Sequence, residues 1–297
     1  MMATDLPFEH IDIVFNPKSS GDAEEHARKL SEQLSSQLPG IPVSLHATER
    51  AGHARDIARD CSGWVDRPLI VSVSGDGGYN EVIEGIMQAN NPGAVAAVLG
   101  AGNANDHDES TSEQPLIDSI LAGRTKKLDV LKMTLGTGQK KVTRWAHSYI
   151  GLGLTPAMAQ GIEAGNKGPI KELVSAFRTF GELKPFTIQQ DHRQIRLDSL
   201  IFANIPRMAK YASLSDSGEP DDGIFEVITF PHRQKVRLLL TALKAVTRGL
   251  TEGTRARDYS FVTTSAMDIQ IDGELQKVDA GTEVNIGICH LGITSLA

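Results

Sequence analysis

One carboxylate, Asp76, stands in a glycine-rich run (Ser-Gly-Asp-Gly-Gly, residues 74–78) that directly follows an apolar, β-branched segment, residues 69–73. Glycines let a backbone come close to a ligand, and a helix that begins after such a run directs its free N–H groups to the same point, which favours an anion. A carboxylate there would repel bare phosphate, so it needs a metal ion or a proton to accept. This combination predicts phosphoryl transfer.

Three transitions from strand to loop are expected to position this carboxylate. Residues 69–73 are predicted to form a strand, and the apolar side chains that follow Tyr79 recur at helical spacing. Residues 11–15 and 95–99 are two further apolar runs, each followed by a polar loop that contains glycine. In a parallel sheet such loops meet at the carboxyl edge. On the residues alone, a plain tight turn at 74–78 stays the alternative.

Length, charge and cysteine content narrow the function classes. A chain of 297 residues has room for about two domains. The net charge of −7 and the pI near 5.7 argue against general nucleic-acid binding, so an anionic ligand needs a local basic patch. Cys61 and Cys289 are too few for a disulfide framework, and we expect two core residues in a reducing, cytoplasmic compartment. No run fits a signal peptide or a membrane span, so any membrane contact is expected to be peripheral.

Five motifs, in order along nearly the whole chain, resemble those of the diacylglycerol kinase catalytic-domain family, which includes bacterial lipid kinases and sphingosine and ceramide kinases. They are Asn-Pro-x-Ser-x-Gly (16–21), Ser-Gly-Asp-Gly-x-x-Asn-Glu (74–81), Gly-x-x-Asn-Asp (102–106), Asp-Asp-Gly (221–223) and Asp-Gly-Glu (272–274). The family's usual Gly-Gly-Asp-Gly-Thr is here Ser-Gly-Asp-Gly-Gly (74–78), so Gly78 replaces a family threonine and Ser74 a glycine, as in sphingosine-kinase-like members. Asn103 replaces a second family threonine, and the third motif lacks the family's arginine. A lost neutral hydrogen bond is worth about 0.5–1.5 kcal/mol, so weaker nucleotide binding is expected, with a lipid-binding pseudokinase as an alternative.

The resemblance implies two domains, and the apolar pattern agrees. Residues 1–123 are predicted to form an α/β nucleotide-binding domain with a parallel, Rossmann-like sheet of the NAD kinase and diacylglycerol kinase type. Residues 124–297 hold many short strand-like runs, which predicts a β-rich antiparallel sandwich for the lipid substrate. These runs are residues 127–135, 141–152, 186–190, 195–204, 224–230, 259–264, 267–271 and 283–289. A return of the extreme C-terminus to the first domain is left open.

The resemblance also implies roles for individual residues. Asp76 and Glu274 are the candidates for the base that accepts the proton of the acceptor hydroxyl, with Asp272 in the motif of Glu274. The residues expected to contact ATP are Asn16, Pro17, Ser20, Thr48, Gly75, Gly77, Gly78, Asn80, Glu81, Gly102 and Asn103. Catalytic Mg²⁺ would spread the phosphate charge, and a structural Mg²⁺ is expected at Asp222, Glu219 and Ile224. On the residues alone, 221–223 is equally a hairpin connection, and Thr48 a turn or cap residue.

The predicted function is ATP-dependent transfer of the γ-phosphoryl group to a hydroxyl of a lipid at a membrane surface, such as diacylglycerol or a sphingoid base. An NAD kinase shares the glycine-aspartate loop and is an alternative. A dehydrogenase is disfavoured, because Asn105 stands where the third glycine of its loop would be. Residues 232–250 are predicted to form a basic amphipathic helix that lies either on an anionic bilayer or against the core. The acceptor lipid and the oligomeric state, with a homodimer as one option, are left open.

Overall fold

The computed structural model describes residues 6–19, 22–101, 114–153, 185–205, 207–208, 212–213, 219–232 and 254–297. The chain divides into two compact units: unit 1 is Met1–Val130 with His290–Ala297, and unit 2 is Leu131–Cys289. The predicted fold class is confirmed, with parallel strands and helices in unit 1 and antiparallel strands in unit 2. Ser20, Gly102, Asn103 and residues 233–250, on which predictions rest, lie outside the described residues.

Unit 1 alternates strands and helices. Its elements are β1 (His10–Phe15), α1 (Ala23–Gln37), β2 (Val43–Ala47), α2 (His53–Trp64), β3 (Pro68–Ser74), α3 (Asp76–Ala89), β4 (Val95–Gly100), α4 (Leu116–Ala122) and β5 (Thr125–Leu135), of which β5 continues into unit 2. The strands are parallel in the order β2-β1-β3-β4, and Thr294 and Ser295 of the last strand of the chain extend this sheet beside β4. The strand order reverses between β1 and β3, where open α/β sheets bind their ligands.

Burial explains why these residues form these elements. β3 is buried along its whole length, which suits a central parallel strand made of Leu, Ile and Val. α1 turns one apolar stripe to the core, namely Ala23, Ala27, Leu30 and Leu34, and these side chains pack with Ile11 and Ile13 of β1. α3 ends at Asn90, whose left-handed backbone (φ 54°) closes the helix.

Unit 2 is built from antiparallel strands. They are β6 (Val142–Ala146), β7 (Tyr149–Leu152), β8 (Phe186–Gln190), β9 (Arg193–Ala203), β10 (Arg207–Met208), β11 (Ala212–Ser213), β12 (Phe225–Pro231), β13 (Thr254–Ala256), β14 (Asp258–Thr263), β15 (Met267–Ile271), β16 (Glu274–Val278) and β17 (Glu283–Leu296), whose end lies in unit 1. The prediction of one strand over 141–152 is wrong, because the chain turns at residues 147–148 to bind the carboxylate of Asp272.

Candidate active site

A pocket of about 380 Å³ opens at the carboxyl ends of β1, β2 and β3 in unit 1. Three stretches form its wall: the turn after β1, the connection from β2 into α2, and the end of β3 with the start of α3. The lining residues are Val14, Phe15, Asn16, Lys18, Thr48, Glu49, Arg50, Ala51, Ala54, Ser72, Ser74, Gly78 and Glu81. Four of the residues predicted to contact the nucleotide, Asn16, Thr48, Gly78 and Glu81, are therefore brought together.

The glycine-rich run forms the N-terminus of α3. The helix begins at Asp76 after Gly75, and Gly75 has no side chain with which to cap this end. The first N–H groups of a helix have no acceptor within the helix, so this end offers donors to an anion beside the pocket. Asp76 is half-buried in the first turn, where the helix dipole favours a negative charge. Gly75 and Gly77 are part of the same turn, as predicted from the pattern.

Ser74 and Gly78 fit each other across this turn. A Cβ atom added to Gly78 would lie 2.6 Å from Oγ and 2.7 Å from Cβ of Ser74. The Ser74 hydroxyl donates to the carbonyl oxygen of Gly75 at 3.0 Å, and its oxygen lies 2.7 Å from Oγ of Ser72. The Ser74 hydroxyl thus fills the space that a side chain at position 78 would need. The glycine and the hydroxyl of the family motif have, in effect, exchanged places.

The carboxylate of Glu81 is hydrogen-bonded to the backbone at the start of α2. Its Oε1 accepts a hydrogen bond from the backbone N–H of Gly52 at 2.8 Å, and its Oε2 accepts one from Ala54 at 3.1 Å. The carboxylate therefore caps the N-terminus of α2 and fixes the loop that carries Thr48. Asn80, also predicted to contact nucleotide, is fully buried in α3, and its amide has no hydrogen-bond partner among the described residues.

Two cations of the pocket were not singled out from the sequence. Lys18 is exposed in the turn after β1, and among the described residues it makes no ion pair. Arg50 lies 2.6 Å from a carboxylate oxygen of Asp56, and this hydrogen bond holds the pKa of Asp56 below its usual value. These cations supply the local basic patch that an acidic chain needs for phosphate. Lys18 lies inside the Asn-Pro-x-Ser-x-Gly motif and Arg50 lies two residues after Thr48, so their places in the sequence could have identified them as candidate phosphate contacts.

In unit 2, the Asp-Gly-Glu motif forms a tight hairpin between β15 and β16. Asp272 and Gly273 both have positive φ, 42° and 95°, which is the backbone of two-residue hairpin turns. The Asp-Gly dipeptide is a known signal for such a turn, and it could have predicted β16 from the sequence.

Asp272 is fully buried inside this hairpin. Its carboxylate accepts hydrogen bonds from three successive backbone N–H groups, those of His147 at 2.7 Å, Ser148 at 3.2 Å and Tyr149 at 2.8 Å. Such a set of N–H groups is an anion-binding concavity, here filled by the protein's own side chain. The predicted catalytic residue Asp272 therefore holds the connection between β6 and β7 to the hairpin that presents Glu274.

Glu274, at the start of β16, is paired with a cation. Its Oε2 lies 2.6 Å from Nη2 of Arg144, and Nη1 of the same guanidinium donates to Gln276 at 3.0 Å. Arg144 is only 12% exposed and Glu274 27%, so the pair is largely screened from water. The guanidinium fixes the orientation of the Glu274 carboxylate.

The chain is similar to known lipid and nucleotide kinases in both sequence and fold. Residues 10–133 match the family model described as the diacylglycerol kinase catalytic domain. Over 284 residues it is 25% identical to a diacylglycerol kinase of Staphylococcus saprophyticus, with 88% of each chain covered. The fold is similar to that of a diacylglycerol kinase from Bacillus anthracis (TM-score 0.72, 16% identity, 97% of each chain) and of a yeast NADH kinase complexed with NADH (TM-score 0.54, 13% identity, 99% of this chain and 84% of that one).

The predicted structural Mg²⁺ site of this protein holds a guanidinium in the structure. One oxygen of Asp222 accepts the backbone N–H of Ile224 at 3.0 Å, and the other is paired with Nη2 of Arg255. Glu219 is exposed, and the described residues do not form a cluster of acidic ligands there. Arg255 brings a positive charge to the turn where the resemblance implies Mg²⁺, and the metal assignment stays a prediction.

No described helix is both long and apolar enough to span a bilayer.

Proposed function

We propose that this kinase transfers the γ-phosphoryl group of ATP to a hydroxyl of a lipid, such as diacylglycerol or a sphingoid base. The pocket of unit 1 carries the proposal. It combines backbone donors at the start of α3, serine hydroxyls and two cations in the crevice where α/β sheets bind phosphate ligands. The kinase family and the relatives named as diacylglycerol kinases support the reaction class.

At the nucleotide end, Ser74 takes over from the missing threonine. The Ser74 hydroxyl donates to the carbonyl oxygen of Gly75, and such a neutral hydrogen bond is worth about 0.5–1.5 kcal/mol. A phosphate oxygen would replace that bond with a charge-assisted one, which is roughly twice as strong. Lys18 and the N–H groups at the start of α3 would neutralise the remaining phosphate charge. Bound Mg²⁺ would be held by the phosphates with one carboxylate, for which Asp76 fits, and it would spread the charge of the transferred group.

At the acceptor end, a lipid hydroxyl needs a base to remove its proton. We assign this role to Asp76, which is not itself among the lining residues but stands in the first turn of α3, in sequence between two that are, Ser74 and Gly78. Glu274 already shares its carboxylate with Arg144, so accepting a proton would weaken that ion pair. Asp272 is a positioning residue, since its oxygens are occupied by backbone donors.

The test is a transfer assay with the purified chain, γ-labelled ATP and Mg²⁺, and one candidate acceptor per reaction: diacylglycerol, sphingosine, ceramide or phosphatidylglycerol in mixed micelles, and NAD in solution. Label in one lipid product, lost in Asp76→Asn, is the expected result. Label in NAD alone would replace the proposal with a small-molecule kinase. ATP and lipid binding without any labelled product would make the chain a pseudokinase.

A lipid acceptor also requires that the protein meet a membrane surface, and we propose peripheral association. The test is co-sedimentation with anionic vesicles. A larger fraction of the wild-type protein should sediment with the vesicles than of a variant in which Arg237, Lys244 and Arg248 are changed to glutamate. Equal sedimentation of the two would remove the role of these basic residues.

A further inference from the structure

Four potential metal ligands lie together in unit 1, in a cluster formed by His10, Asp12, His46 and Cys61. Asp12 is in the middle of β1, between Ile11 and Ile13, which pack in the core with α1; strand alternation turns Asp12 to the opposite face. In the parallel register Asp12 is opposite Ser44, so His46 of β2 lies on the same face, two residues further on. Cys61 comes from α2.

The ligand atoms converge on one point. Nε2 of His46 lies 2.7 Å from Oδ1 of Asp12 and 3.8 Å from Sγ of Cys61, and these three atoms are all within 4.8 Å of one another. Nε2 of His10 lies 3.3 Å from the same oxygen of Asp12 and 3.1 Å from Oγ of Ser44, so His10 borders this group of three ligand atoms. Neighbouring ligand atoms of tetrahedral zinc are about 3.3–3.8 Å apart, given bonds of about 2.0–2.3 Å. Within this group of three, the contact between Asp12 and His46 would need to lengthen by about 0.6 Å, and the His10 ring would need to turn from Ser44 toward the ion.

We propose that Asp12, His46 and Cys61, with His10 as the fourth ligand, form a structural Zn²⁺ site that joins β1, β2 and α2. The donor set supports zinc over Mg²⁺, because thiolate and imidazole are ligands of zinc, whereas Mg²⁺ takes oxygen. Asp12 and Cys61 are buried, at 1% and 0% exposure, which suits a closed site. The side chains of His10 and His46 are 23% and 21% exposed and give an ion a way in.

The competing explanation is a buried hydrogen-bond network without metal. In it, both histidines would donate to Asp12, and Cys61 would be an ordinary core thiol. Burial is the main cause that raises the pKa of the Cys61 thiol well above its usual value, and the negative charge of Asp12 adds to it. An ion that binds sulfur must therefore displace the proton of this thiol. The two explanations differ in whether sulfur binds the ion, which spectroscopy measures directly.

Cobalt(II) is the probe, because it replaces zinc in tetrahedral sites and its spectrum reports a thiolate ligand. The full-length chain, freed of any histidine tag and treated with a chelator, is titrated with Co²⁺. One equivalent per chain should produce intense visible d–d bands and a near-ultraviolet band from charge transfer between sulfur and cobalt. The chain purified without chelator should contain about one zinc per molecule by mass spectrometry.

Two variant pairs decide the outcome. Cys61→Ser should lose the sulfur band and its Tm increase with Zn²⁺, whereas Cys289→Ser, a change of the other cysteine, should keep both. His46→Gln should lower Co²⁺ affinity by more than the 10–100-fold typical of an outer-shell residue, and His26→Gln on exposed α1 should not. A wild-type spectrum without the sulfur band, or the same spectrum in Cys61→Ser, overturns the proposal. Because no step depends on phosphoryl transfer, its failure is distinct from failure of the lipid kinase proposal.

Discussion

The two motif turns of this protein, residues 74–78 in unit 1 and the hairpin at Asp272 and Gly273 in unit 2, use their polar groups in opposite ways. In unit 1 the helix starts after a glycine, and hydroxyls and cations line a pocket. In unit 2 three backbone N–H groups bind Asp272, and Arg144 binds Glu274. Both turns place an acid beside glycine, but one is arranged to receive a ligand and the other to hold a shape.

The largest effect should follow from Asp272→Ala. It would leave three buried N–H groups without their acceptor, at about 1–3 kcal/mol each, in a left-handed position that alanine disfavours. We expect the free energy of unfolding to fall by at least about 3 kcal/mol, measured by urea denaturation. The control is Asp279→Ala, at an exposed position just after β16. An equally stable Asp272→Ala would mean that the hairpin does not depend on this carboxylate.

Asp76→Asn should lower kcat for phosphoryl transfer by at least about 100-fold, because a general base contributes about 10²- to 10⁴-fold. Stability should stay close to that of the wild type, since the amide can remain in the first turn of α3. Steady-state kinetics with a saturating lipid, together with circular dichroism, measure both. A variant with near-normal kcat would remove Asp76 from the chemistry and leave only a binding role for the loop.

Gly78→Thr should restore the usual family residue and yet do harm. Its Cβ would collide with Ser74, and overpacking costs about 1–3 kcal/mol, so Tm should fall and KM for ATP should rise. The double variant with Ser74→Gly as well should recover both values, since it recreates the family's arrangement. The informative quantity is the coupling between the two changes in a double-mutant cycle. Purely additive effects would contradict the exchange of glycine and hydroxyl.

Lys18→Met should raise KM for ATP by about ten-fold, the effect of one charge-assisted hydrogen bond of about 1.5 kcal/mol, while leaving kcat almost unchanged. Lys29→Met, on the exposed face of α1, is the matched control. The difference between the two variants should shrink at high salt, because the interaction lies near the surface. An unchanged KM in Lys18→Met would place the phosphates elsewhere.

Glu274→Gln should have the smallest effect, a fall in kcat of less than about ten-fold, because the amide oxygen still accepts a hydrogen bond from Arg144. The kinetic assay used for Asp76→Asn gives a direct comparison. If instead Glu274→Gln lost about 100-fold or more, the base would be Glu274, and the turn in unit 2 would take part in chemistry after all.

Local sequence patterns predicted most helices and strands, but they did not predict the hydrogen-bond partners of the site residues. β3, the glycine turn and α3 follow one another within residues 68–89, so apolar spacing and glycines were sufficient. β16 was missed because its side chains are mostly polar and only Val278 is buried. Site roles that depend on distant residues could not be seen: Glu81 binds the start of α2, 29 and 27 positions away, and Asp272 binds N–H groups more than 120 positions away. Ser74 and Gly78 are close in sequence, but their fit depends on the exact path of the turn.

The path of β17 has a practical consequence for anyone who truncates this protein. The strand starts in unit 2 and ends in unit 1, where Thr294 and Ser295 pair with β4, and His290 and the N–H of Leu291 bind the buried carboxylate of Asp129. A recombinant fragment that stops after residue 130 would leave β4 with an open edge and Asp129 without either donor. Open edges invite intermolecular strand pairing, so such a fragment should aggregate, whereas supplying residues 290–297 through an engineered linker should keep it monomeric.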